Sequence, residues 1–221
     1  MKMMRILIAA SIAASWLAGC GQSEPPAGEA GSKSVPSGIY AVDRLHTYLS
    51  FSYLHQGLSY PLLRATDVMG ELQYDGDDMT NSKIDVSVAA DSIRTNVAHF
   101  DKELASRKFF NAQKFPHITF TTDRYEPTND SEGILHGDVT IRGISKPIEF
   151  AVTFNDGFVH PVLEVPVLGF SATGSLSRSD FGLDRFVPVV SDTVVLNIEI
   201  EFRHGSTDES AAAAKTARNE V

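Results

Sequence analysis

Residues 194–202 read VVLNIEIEF, with Val194, Leu196, Ile198, Ile200 and Phe202 at every second position and Val195, Asn197, Glu199 and Glu201 between them. A strand points successive side chains to opposite faces, so this pattern buries one face and wets the other. The same period recurs upstream. Leu49, Phe51 and Tyr53 alternate with serines, Ile84, Val86 and Val88 with Asp85 and Ser87, and Ile118 and Phe120 with threonines. Val139 and Ile141, then Ile148, Phe150, Val152 and Phe154, then Phe170, Ala172, Gly174 and Leu176 repeat it. Turn-forming clusters at 74–78 (YDGDD), 128–131 (TNDS) and 155–157 (NDG) punctuate the runs. Many short one-faced antiparallel strands make a sandwich or a barrel, and closure into a barrel removes exposed edges. The prediction is an all-β antiparallel barrel of about eight strands.

One segment lacks the period of two. Residues 97–107 (VAHFDKELASR) place Val97, Phe100 and Leu104 at helical spacing and offer Glu103 and Arg107 as an i,i+4 pair. A short helix there, followed by Phe109, Phe110 and Phe115, is positioned to press aromatic rings over one barrel end as a lid. Arg94 and Asp101 flank it and read as an ion pair near the mouth or as a surface or capping salt bridge. Arg178 and Asp180 read the same way, shaping the turn before Phe181. His46 and His55 mark the two ends of the first long strand. His55 shares the parity of Phe51 and Tyr53, so it either meets a ligand headgroup or bonds to backbone.

The single cysteine, Cys20, follows Lys2, Arg5 and an apolar run from Ile6 to Trp16. A positive start, a short apolar segment and small residues before a cut form a secretory signal. Leu17-Ala18-Gly19-Cys20 resemble the lipobox of bacterial lipoproteins. That resemblance implies that Cys20 is acylated, palmitate being one expected chain, and becomes the membrane-anchored N-terminus. Gly21 replaces the Asp that would retain such a protein in the inner membrane. The expected location is therefore the bacterial cell envelope, lipid-anchored at the outer membrane and facing the periplasm. The predicted organisation is a signal peptide (1–19), a lipidated flexible tether rich in Gly, Pro, Ser and Glu (20–37), a folded domain (38–204) and a polar tail (205–221).

The chain carries 28 acidic and 19 basic residues, a formal charge of −9; loss of Lys2 and Arg5 with the signal makes it −11. Such a surface repels nucleic-acid phosphates, and anionic lipid headgroups as well, which leaves membrane attachment to the acyl chains. No catalytic signature is present: no Gly-x-Ser-x-Gly elbow, phosphate-cradling loop or dinucleotide fingerprint. No metal-ligand spacing is present either, and the acidic turn at 75–81 has Met79 where a calcium loop needs an oxygen. A binding protein without catalytic residues is the expectation. With no other cysteine, the domain must be held by its core and not by disulfides.

Read together, Tyr40-Ala41-Val42-Asp43, His46, Phe51, Ser92-Ile93-Arg94-Thr95-Asn96, Phe115-Pro116-His117-Ile118-Thr119-Phe120, GDVTIRGISKP at 137–147 and Arg178-Ser179-Asp180-Phe181-Gly182 resemble the bacterial YceI-like, polyisoprenoid-binding family. The resemblance spans residues 38–202. It implies a lipocalin-like barrel holding an isoprenoid-type lipid, such as a quinone or polyprenyl compound, with no other cofactor. On that reading the ligand wall is Leu49, Phe51, Tyr53, His55, Val86, Val88, Phe120, Val139, Ile141, Phe150, Val152 and Phe170. From the residues alone, an inward apolar stripe is equally a solid core, which would make the chain a structural or interaction lipoprotein. A homodimer is a further option that the pattern leaves open.

Overall fold

The structure, a computed structural model, describes residues 35–205. The expected signal peptide, Cys20, most of the tether and the tail lie outside the described residues. Of the tether's last residues, Val35 is buried in the barrel core while Pro36 and Ser37 are exposed, the Pro36 carbonyl accepting a 2.7 Å bond from the Tyr40 hydroxyl.

Among the described residues, eleven strands form one antiparallel sheet: β1 (Gly38–Val42), β2 (Tyr48–His55), β3 (Leu62–Ala65), β4 (Val68–Tyr74), β5 (Lys83–Ala89), β6 (Ile93–Arg94), β7 (His117–Pro127), β8 (Glu132–Ile141), β9 (Ile144–Val159), β10 (Pro166–Ser177) and β11 (Val190–His204). They occupy eight positions. β1 and β2 both pair with β11, β4 and β3 pair with β1 and β2, and β5 and β6 pair with β4 and β3. Three positions are thus ribbons interrupted once, and the β1–β11 pairing closes the barrel. Polar residues fill the breaks. The Asp43 carboxylate accepts from the Leu45 amide at 3.1 Å between β1 and β2, and Thr66 donates from its amide to the Ser92 carbonyl at 3.2 Å between β3 and β4.

The opening stretch, 194–202, lies on β11. Its Val194, Leu196, Ile198, Ile200 and Phe202 all face the barrel interior, while Glu199 and Glu201 are exposed. Small inward residues make room for large ones on the neighbouring strand. A Cβ at Gly174 would stand 2.7 Å from the Phe150 ring, and one at Gly137 would stand 2.6 Å from the Phe120 ring. The two rings then meet edge to face, 5.5 Å apart.

The reversal expected at 155–157 does not occur. β9 runs through it, and Phe154 and Asp156 pair with Phe170 and Gly169, leaving Asn155 as a bulge. Gly157 is there for space: a Cβ would lie 2.8 Å from Leu168. The chain turns instead at 160–165, where His160 and Val165 bond at 2.8 Å.

The helix, α1 (Ala98–Ala105), is shorter than the predicted 97–107. Phe100 and Leu104 face inward, but Val97 precedes the first turn and is exposed. Glu103 pairs with Lys108 at 3.2 Å in place of Arg107, because the chain leaves the helix at Ser106. Arg94 and Asp101 do not bond to each other. Asp101 accepts from the Thr95 amide at 2.8 Å and hydroxyl at 2.6 Å, and Arg94 donates to the carbonyls of Asp91 and Ile93.

Candidate functional site

Inside the barrel lies a cavity of about 450 Å³. That is within the range of small-molecule sites. Its far end is closed by the core built on Tyr40, Leu72, Leu168 and Phe202, and its near end by α1 with Phe109 and Phe110 packed on Leu63, Ile93 and Leu104. The second half of that lid comes from the long β10–β11 connection, whose Phe181 and Leu183 join Ile141, Ile148 and both phenylalanines.

The structure brings all twelve predicted wall positions to this one cavity: Leu49, Phe51, Tyr53 and His55 from β2, Val86 and Val88 from β5, Phe120 from β7, Val139 and Ile141 from β8, Phe150 and Val152 from β9, and Phe170 from β10. Their convergence follows from parity, since closure sends one face of every strand to the same axis. Phe154, read as inward, packs its ring at a tilt against Phe170 beside the cavity but does not line it. Sequence reasoning gave Arg178 only an ion-pair or turn-shaping role and missed Arg185 and Phe186, because all three sit on a connection where no periodicity applies. It also left the inward β11 residues off the wall, although their alternation was the plainest in the chain.

Polar groups gather at the α1 end. Tyr53, His55, Arg178 and Arg185 line it, and exposed Arg185 and Phe186 bring the cavity to the surface. Arg178 is the organiser. It donates to the carbonyls of Leu183, Arg185 (2.9 Å), Val190 (3.0 Å) and Ser191 (2.9 Å), so one guanidinium holds the whole β10–β11 connection in place. It makes no pair with Asp180, contrary to the sequence expectation; Asp180 is exposed, and Ser179 bonds instead to Asp192 at 2.6 Å and 2.8 Å. Burial pulls the Arg178 pKa down, only partly opposed by Asp192, Tyr53 and Asp184. Burial likewise pushes the Tyr53 hydroxyl up, against the pull of Arg178. At the opposite end the Lys83 ammonium is tied to the Asp123 carbonyl, and the Ser82 hydroxyl accepts from the Asp75 amide.

His46 lies in the break between β1 and β2, away from the cavity. Its Nδ1 is 2.6 Å from Asp43 Oδ2, and with Glu201 the three donor atoms lie within 4.8 Å of one another. The arrangement does not suit a cation, because Arg203 Nε already donates to the same Asp43 oxygen at 2.8 Å. Burial raises the Asp43 carboxyl, but the bonds from His46, the Leu45 amide and Arg203 outweigh it, and its pKa ends below the usual carboxylate range. This is a structural clamp between β1 and β11.

A closed eight-position antiparallel barrel with an apolar chamber and polar groups near its ends defines a lipocalin-like binding fold. Residues 40–202 match the model of the YceI-like domain, and the chain belongs to that family. A UPF0312 protein of Shewanella baltica is 30% identical over 170 residues, covering 73% of this chain and 85% of its own length, and one of Pseudomonas putida is 30% identical over 164 residues, covering 73% and 84%. The crystal structure of a Campylobacter jejuni YCEI protein aligns with a TM-score of 0.62 at 28% identity, covering 67% of this chain and 88% of that one. A polyisoprenoid binding domain from Saccharophagus degradans shares the fold at 10% identity, with a TM-score of 0.59 over 76% and 99% of the two chains.

Proposed function

We propose that the barrel binds an isoprenoid-type lipid, a quinone or polyprenyl compound, with its tail in the cavity and its polar head beside Tyr53, His55, Arg178 and Arg185. The observation that carries this reading is the chamber of about 450 Å³, walled by carbon except near its ends. Burying a hydrocarbon tail there contributes about 25 cal/mol per Å² before ordering costs, while a charged or sugar ligand would lose hydration with few partners along the wall. The polyisoprenoid binding domain from Saccharophagus degradans, which shares the fold, supports the choice of lipid class. The role is binding, sequestration or carriage, not catalysis, and it is exercised from the outer membrane through acylated Cys20.

The test is to export the chain with Cys20→Ser, purify it without detergent and extract it with organic solvent. Mass spectrometry is expected to find one isoprenoid lipid per chain, and added quinone is expected to raise the melting temperature of the stripped protein. No bound lipid together with no thermal response defeats the proposal.

A further inference from the structure

Among the described residues, exposed acidic side chains cluster at one end of the barrel. Opposite α1, the turns near 77, 130 and 160 expose Asp77, Asp78, Asp130, Glu132, Asp156 and Glu164. The cations there, Lys83 and Arg124, are each held by neighbouring protein groups, Arg124 by Asp123 and Glu126. At the α1 end the balance reverses. Arg94 is held by the Asp91 and Ile93 carbonyls and Lys108 by Glu103, and exposed Lys102, Arg107, Lys114 and Arg185 still outnumber exposed Asp91, Asp180 and Asp184.

The same end carries large apolar side chains in solvent. Leu58 is 81% exposed, Tyr60 69%, Phe186 57% and Val189 64%. They are neighbours by construction: Val190 pairs with His55 across β11 and β2, and the Leu58 amide donates to the His55 carbonyl at 2.9 Å. His55, Phe186 and Val190 also line the cavity, so this apolar rim is continuous with the chamber. A second exposed tip, Phe158 and Val162, lies at the acidic end beside Asp156 and Glu164.

We propose that the α1 end docks on the surface of an anionic phospholipid bilayer, with Leu58, Tyr60, Phe186 and Val189 entering the interface and the surrounding cations facing the headgroups. An apolar tip ringed by Lys and Arg is the composition that binds such an interface, whereas the acidic end is repelled by it. Docking sets the Arg185–Phe186 rim, where the cavity reaches the surface, against lipid. Only the purpose of docking rests on the proposed lipid binding; the contact itself needs no bound ligand.

The experiment uses the full chain with Cys20→Ser, so that no acyl chain contributes, and co-sedimentation with vesicles of phosphatidylethanolamine and phosphatidylglycerol or of phosphatidylcholine alone. Binding is expected to the anionic vesicles, weakened by salt through screening and weaker on phosphatidylcholine. Leu58→Asp with Tyr60→Asp is expected to lower partitioning more than tenfold, since two large side chains outside the cavity lose their burial, and Phe158→Asp to leave it unchanged. All three positions are exposed, and far-UV circular dichroism confirms folding. No vesicle binding, equal loss with Phe158→Asp, or a solution dimer that the rim substitutions dissociate would overturn the proposal. Lipid content by extraction, measured on the same variants, separates this outcome from failure of the cavity reading: rim variants are expected to keep their lipid.

Discussion

Ala172 stands on the cavity wall of β10, in register with Val152 on one side and Ile198 on the other. Replacing it with Phe sends a ring toward the chamber of about 450 Å³, where a ligand tail would lie. If that space is open, burying the ring adds about 1.5–3 kcal/mol of stability. For a domain of this size each kcal/mol moves the melting temperature by about 2–4 °C, so the lipid-free variant should melt about 3–12 °C above the lipid-free wild type. In a filled barrel the same substitution overpacks and costs about 1–3 kcal/mol, moving the transition the other way. Thermal denaturation followed by circular dichroism reads the sign, and solvent extraction of the unstripped protein reads the lipid. The expected pair of results is a higher melting temperature and no bound isoprenoid. A lower melting temperature would refute the open chamber, and a higher one with lipid retained would refute the placement of the tail.

Other outcomes follow from single groups. Asp43→Asn removes the charge that Arg203 and His46 share, and breaking a buried pair of this kind costs about 3 kcal/mol, measurable by urea denaturation. Because the folded-state pKa of Asp43 lies below its ordinary value, its contribution is complete above about pH 4 and is lost as the pH falls further. The wild type should therefore lose stability in that acid window more steeply than Asp43→Asn does. Arg178→Gln frees the carbonyls of Leu183, Arg185, Val190 and Ser191; the expected result is rapid proteolytic nicking between 183 and 190, with the barrel strands still protected from hydrogen exchange. Cys20→Ser is expected to release the protein from the membrane fraction while its lipid binding in solution is unchanged; lost binding would contradict the separation of anchor and barrel.

Parity along a strand is covalent, and for that reason so much of the cavity wall was legible before folding. Phe51 and Val139 are far apart in the chain, yet each points inward because its neighbours at two-residue steps do. Seven of the eight barrel positions followed from the period of two, the β3–β4 position having no such run, the helix from its own spacing, and the YceI-like motifs from residue types in order. Local signals failed where a long-range partner outweighed them. Asn155-Asp156-Gly157 has turn chemistry, but pairing with β10 carries the strand through it and leaves a bulge. Glu103 and Arg107 have helical spacing, but the helix ends at Ala105.

Whether the interior is open depends on side-chain volume set against barrel radius, and only closure of β1 onto β11 determines that radius. The partners of Arg178 are carbonyls up to thirteen residues away, and no side-chain pattern announces them. Composition supplied a net charge and implied a uniformly repellent surface. The fold sorts that charge, acid at one end and base beside the apolar rim at the other, because the turns between strands alternate between the two ends of the barrel.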